Sequence, residues 1–459
     1  MDNSENLDGL LANQQRFFRA GNTFPTPYRR EQLLKLSELL RQWEPHLLAA
    51  LDKDLGKTMF EGYATELGIV QGEIREAVRN LSRWSRVRRT PGPLLQFPSN
   101  GRRYPEPKGC VLIVSPWNYP VQLTLAPLVS AIAAGCCAIL SLPPDAPATS
   151  AVLAQMIGEG FPEEYIAPVL GTIPHNTRLF SMPFDHIFFT GSPRVGKIVL
   201  AAAAENLTPV TLELGGKSPC IVEETADLAL AARRIVWGKC LNAGQTCVAP
   251  DYLLVQDTVK NELVARMQEE MRRQYPVNMM ENPEYPRIVN EKHFTRLCRL
   301  MEGQKILFGG GKNPDTLKIQ LTLLEEPSLD SPVMQEEIFG PVLPVISYHK
   351  LDGALRLVAC RPKPLACYLF SGNRKKARYI FSRLSFGGGC YNDVIVHLTS
   401  PRLPFGGIGN SGMGSCHGKA GFDTFTHWKS VLERGTWLDI PMRYPPYQEK
   451  FYFLKKIMR

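Results

Sequence analysis

No charged residue occurs between positions 109 and 144, and this stretch constrains the fold more than any other. An apolar run of this length suits either a membrane span or the buried strands and helix of a parallel sheet. Pro116, Pro120, Pro127, Gly135 and Pro143 cut it into strand-sized and helix-sized pieces, so a buried βαβ unit is expected rather than a continuous span. The same rhythm continues downstream. Residues 110–114, 138–140, 166–170, 186–189 and 209–212 read as short apolar strands with helical stretches between them, the pattern of a parallel sheet covered on both faces. Ligands of such sheets bind at the carboxyl ends of the strands, so the loops there are the places to inspect.

Upstream, the chain reads as helices. Leu33, Leu36, Leu40 and Trp43 recur at helical spacing after Pro25 and Pro27, and Leu47, Leu48, Leu51 and Leu55 continue to Gly56, a stop signal. A longer helix is expected to carry Phe60, Tyr63, Leu67, Val70, Ile74, Ala77, Leu81 and Trp84 on one core-facing stripe, ending before Pro91 and Pro93, a candidate domain edge. A second strand and helix series spans residues 219–391, followed by a glycine-rich loop, a strand-like run at 422–431 and a basic, aromatic tail. At 459 residues, two or three packed units are expected.

With 44% hydrophobic and 21% charged residues the chain has the composition of a soluble globular protein, and its net charge of +9 suits a solvated basic face rather than a nucleic-acid site. Its 11 cysteines form no C-x-x-C pair and no metal-ligand spacing, which points to a reducing, cytoplasmic setting with no metal. The first 30 residues lack a basic start followed by an apolar core, so no secretory signal is read there.

Five loops carry candidate chemistry. Cys247 closes the run LNAGQTC at 241–247, where small and polar residues leave room for an electrophilic carbon to approach a thiolate; the ordinary fate of a free thiol is burial. Gly191, Ser192 and Gly196 mark a strand-to-helix turn able to receive a phosphate-bearing ligand. That turn also approaches the triphosphate P-loop pattern, but Ile198 lacks the hydroxyl that would ligate magnesium. Glu213, between Leu212 and Leu214, is a desolvated carboxylate of the kind that serves as a general base, or an ion-paired strand-end residue. Asn118, in SPWNYP at 115–120, offers an amide to a developing oxyanion, or simply makes a turn. Glu337 and Phe339 precede another strand and could hold ribose hydroxyls and line a nicotinamide, or form an ordinary acidic turn.

Together and in this order, these segments resemble the aldehyde dehydrogenase superfamily from about Tyr28 to Tyr447. The branch they are most similar to is the class 3, fatty-aldehyde-like one, on the runs DLGK at 54–57, PWNYP at 116–120, NAGQTCVAPD at 242–251 and LPFGGIGNSGM at 403–413. The resemblance implies an α/β fold with a Rossmann-like NAD(P)-binding domain (1–88 and 104–212), a catalytic domain (213–404), and an oligomerisation arm with tail (89–103 with 405–459). It implies Cys247 as nucleophile, Glu213 as base, and the Asn118 amide with the Cys247 N–H as oxyanion donors. Trp117, Gly191, Ser192, Gly196, Leu214, Glu337 and Phe339 fall on the NAD or NADP side, and Tyr119, Phe405 and His417 in the substrate pocket. The implied reaction oxidises medium- or long-chain aliphatic, or aromatic, aldehydes to acids. A homodimer is implied, with no transmembrane segment; peripheral membrane contact by the tail is the lesser reading.

Three positions depart from the family pattern. Ser141-Leu-Pro-Pro144 stands where the family carries a lysine and a glutamate against the adenosine ribose, a usual proline is missing near residues 320–323, and Cys416 stands where a tyrosine is usual before His417. The first departure motivates a competing reading, a dehydrogenase-fold binding or structural protein with impaired dinucleotide affinity, and a further one is a cofactor-independent thioesterase acting through Cys247.

Overall fold

A computed structural model describes residues 6–93 and 96–457. The chain divides into two compact units: residues up to Trp84 with Pro107–Thr426, and Ser85–Glu106 with the chain from His427 onward.

The first unit contains a two-stranded sheet, Lys312–Asn313 with Lys318–Ile319, and two large ones. One has six strands in the order Gly412–Met413, Val210–Leu214, His186–Gly191, Cys110–Val114, Cys137–Leu142 and Ile166–Leu170, all parallel except the short first one. The uncharged stretch is its centre. Cys110–Val114, the helix Pro120–Ala134 and Cys137–Leu142 are buried, the helix in full except for Leu123. The βαβ expectation therefore holds, and no helix among the described residues is long and apolar enough to cross a membrane. Successive strands run outward from Cys110–Val114 on both sides, through Cys137–Leu142 one way and His186–Gly191 the other. The topological switch point, where such sheets form a crevice, thus lies at the end of Cys110–Val114, directly before Asn118.

The second sheet has seven strands, in the order Ile306–Phe308, Thr322–Glu325, Val342–Tyr348, Tyr252–Gln256, Pro219–Val222, Ala366–Phe370 and Gly388–Tyr391, parallel but for the first. Its strands and the helix Leu228–Cys240 bury one continuous apolar cluster.

The N-terminal helices form as expected: Thr26–Gln42 enters on Pro27, and Glu44–Leu55 stops at Gly56 with φ 67°. The next expectation needs correction. The stripe from Phe60 to Trp84 is not one α-helix; a π-helical turn at Tyr63–Leu67 separates Met59–Gly62 from Gly68–Trp84. A π-turn holds an extra residue, so the stripe loses phase there: Leu67 to Trp84 are core, whereas Phe60 is 84% exposed and Tyr63 is exposed too. A second correction concerns residues 422–431, where Phe422 is buried in the helix Gly418–Thr424 and the strand is Thr426–Arg434.

The second unit contains a three-stranded sheet in the order Arg88–Pro91, Ser99–Pro107 and Thr426–Arg434. Arg88 and Arg103 lie over the Trp428 ring at 4.3 and 5.3 Å, and Glu433 pairs with Arg102 and accepts from Tyr104 Oη. The tail ends in the helix Phe451–Ile457, with Phe451, Tyr452 and Phe453 exposed.

Candidate active site

The loop that carries Cys247 leaves the helix Leu228–Cys240 through the 3-10 turn Leu241–Gly244, in which Asn242, Ala243 and Gly244 all take left-handed backbone angles (φ 50°, 51° and 73°). Such a conformation costs an L-residue roughly 1–2 kcal/mol, so the surroundings must hold it. Asn242 N donates to Glu61 Oε1 at 2.7 Å, and Asn242 Nδ2 donates to the carbonyls of Asn118 (2.8 Å) and Gln245 (3.1 Å). The buried Gln245 side chain donates to the Asn242 and Arg287 carbonyls and accepts from Val289 N, each at 3.0 Å. A Cβ at Gly244 would stand 2.4 Å from the Gly340 carbonyl oxygen, so glycine is required there. Thr246 Oγ1 then meets Tyr119 Oη at 2.6 Å.

The small residues of this loop serve close packing rather than exposure. The Cys247 thiol is half-buried, and burial, with Glu337 and Glu213 adding their negative charge, pushes its pKa up to about 12. A thiol in that setting is protonated at neutral pH and needs a base when it reacts.

Cys247 and Glu213 line one cavity of about 560 Å³, with Tyr119, Leu214, Phe405, Cys416 and His417 in the same wall. Glu213, next to last in the strand Val210–Leu214, is buried with neither carboxylate oxygen hydrogen-bonded. Burial raises its pKa well above the carboxylate range, opposed only by the Cys416 thiol. His417 Nδ1 contacts Glu73 Oε1 at 2.9 Å, and its ring meets Phe405 edge-on at 5.6 Å.

Asn118 is buried and is not part of the cavity wall; its Nδ2 donates to the Gln245 carbonyl at 3.0 Å, which ties it to the Cys247 loop and leaves its second N–H unused. Its own carbonyl accepts from Lys57 Nζ at 2.9 Å. Lys57 and Glu66 form a fully buried ion pair at 2.6 Å, and Glu66 Oε2 accepts the N–H groups of Val121 and Gln122 at 2.8 and 3.2 Å. Lys57 also sits 3.9 Å over the Tyr119 ring. Neither this pair nor Glu61 was read from the sequence as a site residue. The available signal was Glu66, a carboxylate within an otherwise apolar helical stripe, which nearly always means a buried partner.

Phe339 meets Trp117 at 5.4 Å and 81°, and Trp117 meets His293, whose Nδ1 is buried without a partner. The Glu337 carboxylate packs on Gly215, where a Cβ would stand 2.0 Å from it; burial, with Asp251 adding, pushes its pKa up to about 8. Asp251 fixes this segment by accepting Ile338 N at 2.9 Å while pairing with Lys217. Ser192 caps the helix Pro193–Ala204, and Gly191 ends the strand before it. Gly196 packs on Leu214, 2.7 Å from where its Cβ would be. Ser141 Oγ donates to Asn176 Oδ1 at 2.6 Å, so its hydroxyl is already engaged.

A shielded thiol, a desolvated carboxylate beside it in one cavity, and an amide hydrogen-bonded to the thiol's loop are groups able to carry covalent chemistry at a carbonyl carbon. The aldehyde dehydrogenase family model matches residues 2–431, and the chain belongs to that family: it is an oxidoreductase acting on aldehydes. It is 46% identical to the 4,4'-diaponeurosporen-aldehyde dehydrogenase of Staphylococcus aureus, over 99% of both chains. It is also 43% identical to mouse aldehyde dehydrogenase family 3 member A2, over 96% of this chain and 92% of the relative. The solved substrate-bound state of Staphylococcus aureus AldH superposes with a TM-score of 0.97 at 45% identity, covering 99% of each chain.

Proposed function

We propose that the chain oxidises aldehydes with apolar chains, aliphatic of medium or long length or aromatic, to carboxylic acids through a covalent adduct on Cys247. The cavity supports this reading: Phe60, Leu123, Trp237, Ile395, Leu398 and Phe405 surround Cys247 and Glu213, and no lysine or arginine is found among the described residues lining it. The Cys247 sulfur attacks the aldehyde carbon while its proton passes to the ionised carboxylate of Glu213 in the same cavity, which hands that proton on to solvent before the next step. The oxyanion is received by the second N–H of Asn118 Nδ2 and by the Cys247 backbone N–H. Once the substrate is a thioester on Cys247, Glu213, ionised again, takes a proton from water, the water oxygen adds to the acyl carbon, and the C–S bond breaks to release the acid while Glu213 gives its proton to the leaving sulfur and restores the thiol.

The NAD+ or NADP+ that the family implies finds residues that fit it. Glu337 stands over a glycine turn with no room for a Cβ, His293 Nδ1 is a buried nitrogen without a partner, and Trp117 and Phe339 offer aromatic surface. Glu337 would hold ribose hydroxyls, Gly191, Ser192 and Gly196 the pyrophosphate side, and Trp117, Leu214 and Phe339 the nicotinamide end. When bound, the dinucleotide supplies the acceptor for the hydride leaving the substrate carbon. We further propose a homodimer formed through the second unit; the strand Thr426–Arg434, at the edge of its sheet with Val431 and Leu432 exposed, supports this reading, light scattering tests it, and a stable monomer refutes it. The experiment for the activity is a matrix of both cofactors against hexanal to decanal and benzaldehyde, followed by absorbance of the reduced cofactor with Cys247→Ala as control. No signal with either cofactor would overturn the reading.

A further inference from the structure

We infer that Glu61 is a positioning residue for the nucleophile, its carboxylate fastening the left-handed turn that sets Cys247; the inference rests on Cys247 being the nucleophile. Two residues with side chains, Asn242 and Ala243, hold left-handed angles in succession only five and four positions before the thiol. The main-chain N–H at the start of that turn donates to Glu61 Oε1 at 2.7 Å, and a carboxylate acceptor makes this the strongest kind of hydrogen bond to a backbone N–H. The carboxylate arrives from a distant part of the chain, the short helix Met59–Gly62, which the π-turn frees from the core-facing stripe. Glu61 also lines the cavity that holds Cys247 and Glu213.

Glu61 contacts the loop backbone rather than the reacting atoms, so it acts through Cys247. Charged and titratable groups face it from several elements: Lys57, Glu66, Tyr119, Tyr275, Tyr285 and Cys240. Burial, opposed by the Lys57 ammonium, pushes Glu61 up to about 7. The ionised form, the better acceptor, therefore prevails above neutral pH and is lost as pH falls through that value. The turn is held more firmly on the alkaline side.

The test uses the full-length protein and follows iodoacetamide alkylation of Cys247 by peptide mass spectrometry across the neutral range, beside kcat and KM for hexanal. In the wild type, the alkylation rate corrected for thiolate fraction steps by about tenfold around neutrality, the difference between a charge-assisted and a neutral hydrogen bond. Glu61→Gln keeps the shape and loses the step, with kcat lower by about tenfold above neutrality and the cofactor KM unchanged. Glu61→Ala is slow at every pH, and adding Ala243→Gly restores part of its rate, because glycine takes the left-handed angle without steric cost. A wild-type pH profile and kcat in Glu61→Gln, or no relief of Glu61→Ala by Ala243→Gly, overturns the inference. Cys247→Ala separates the two levels: if it still turns over, the nucleophile assignment falls, whereas an inactive Cys247→Ala beside a wild-type-like Glu61→Gln removes only the role of Glu61.

Discussion

Asn118→Ala tests the oxyanion assignment, and the structure says how its cost should divide. The amide has two N–H groups. One is spent on the Gln245 carbonyl at 3.0 Å, which also accepts from Asn242 Nδ2 at 3.1 Å; losing a bond whose acceptor keeps a second donor costs about 0.5–1 kcal/mol of stability. The other N–H is free for a developing negative charge, and losing such a donor costs about 100- to 1000-fold in kcat, roughly 2.7–4 kcal/mol. The Cys247 N–H remains, so activity falls without vanishing. The expected result is a steady-state kcat reduced by two to three decades on hexanal with a nearly unchanged melting temperature. A kcat loss below about tenfold, or a loss confined to KM for the cofactor, would show that Asn118 only anchors the loop.

The pH dependence of thioester hydrolysis should report Glu213. Because burial raises its pKa well above the carboxylate range and the base must be ionised, its acid limb lies at higher pH than an ordinary glutamate would give, and rate is lost as pH falls through it. Glu213→Gln should remove that limb and slow turnover by about 100- to 10,000-fold. Lys57→Met leaves the Glu66 carboxylate buried without its cation and should cost about 3 kcal/mol in urea unfolding, the low end for a broken buried pair because Val121 and Gln122 still donate to it; adding Glu66→Gln should return part of the loss. Each methylene from butanal to hexanal should raise kcat/KM about fourfold as apolar surface enters the cavity. An aldehyde with a terminal carboxylate, such as succinic semialdehyde, should be on the order of 100-fold worse, since the described lining offers no cation.

The sheet that builds the site was legible because buried strands are written in uninterrupted apolar runs: the strand Ile166–Leu170 falls where the periodicity put it, and Cys110–Val114 likewise. The expectation failed where local pattern and tertiary context part. Phe422 looks like the start of a β run, but its residues from Gly418 pack as a helix against buried Trp84 and the strand begins after it. Phe60 shares the helical spacing of Leu67 and Val70, and nothing in a spacing of three and four announces a π-turn between them. Within the site, Cys247 and Glu213 were readable as motifs and share one cavity wall, whereas Glu61 and the Lys57–Glu66 pair bridge sequence distances that periodicity does not reach: 57 to 118 and 61 to 242.

The extra residue in Tyr63–Leu67 works as a phase shifter between two tasks of one helical stretch. Below it, the chain faces the core with Leu67, Val70 and Ile74; above it, Phe60 and Glu61 are turned to the substrate cavity. Removing any single residue from this turn would restore an ordinary α-helix and swing everything before it by about 100°. A one-codon deletion here, far in sequence from Cys247, would redirect the wall of the cavity and release the backbone that presents the thiol, while leaving every residue of the reaction chemistry in place.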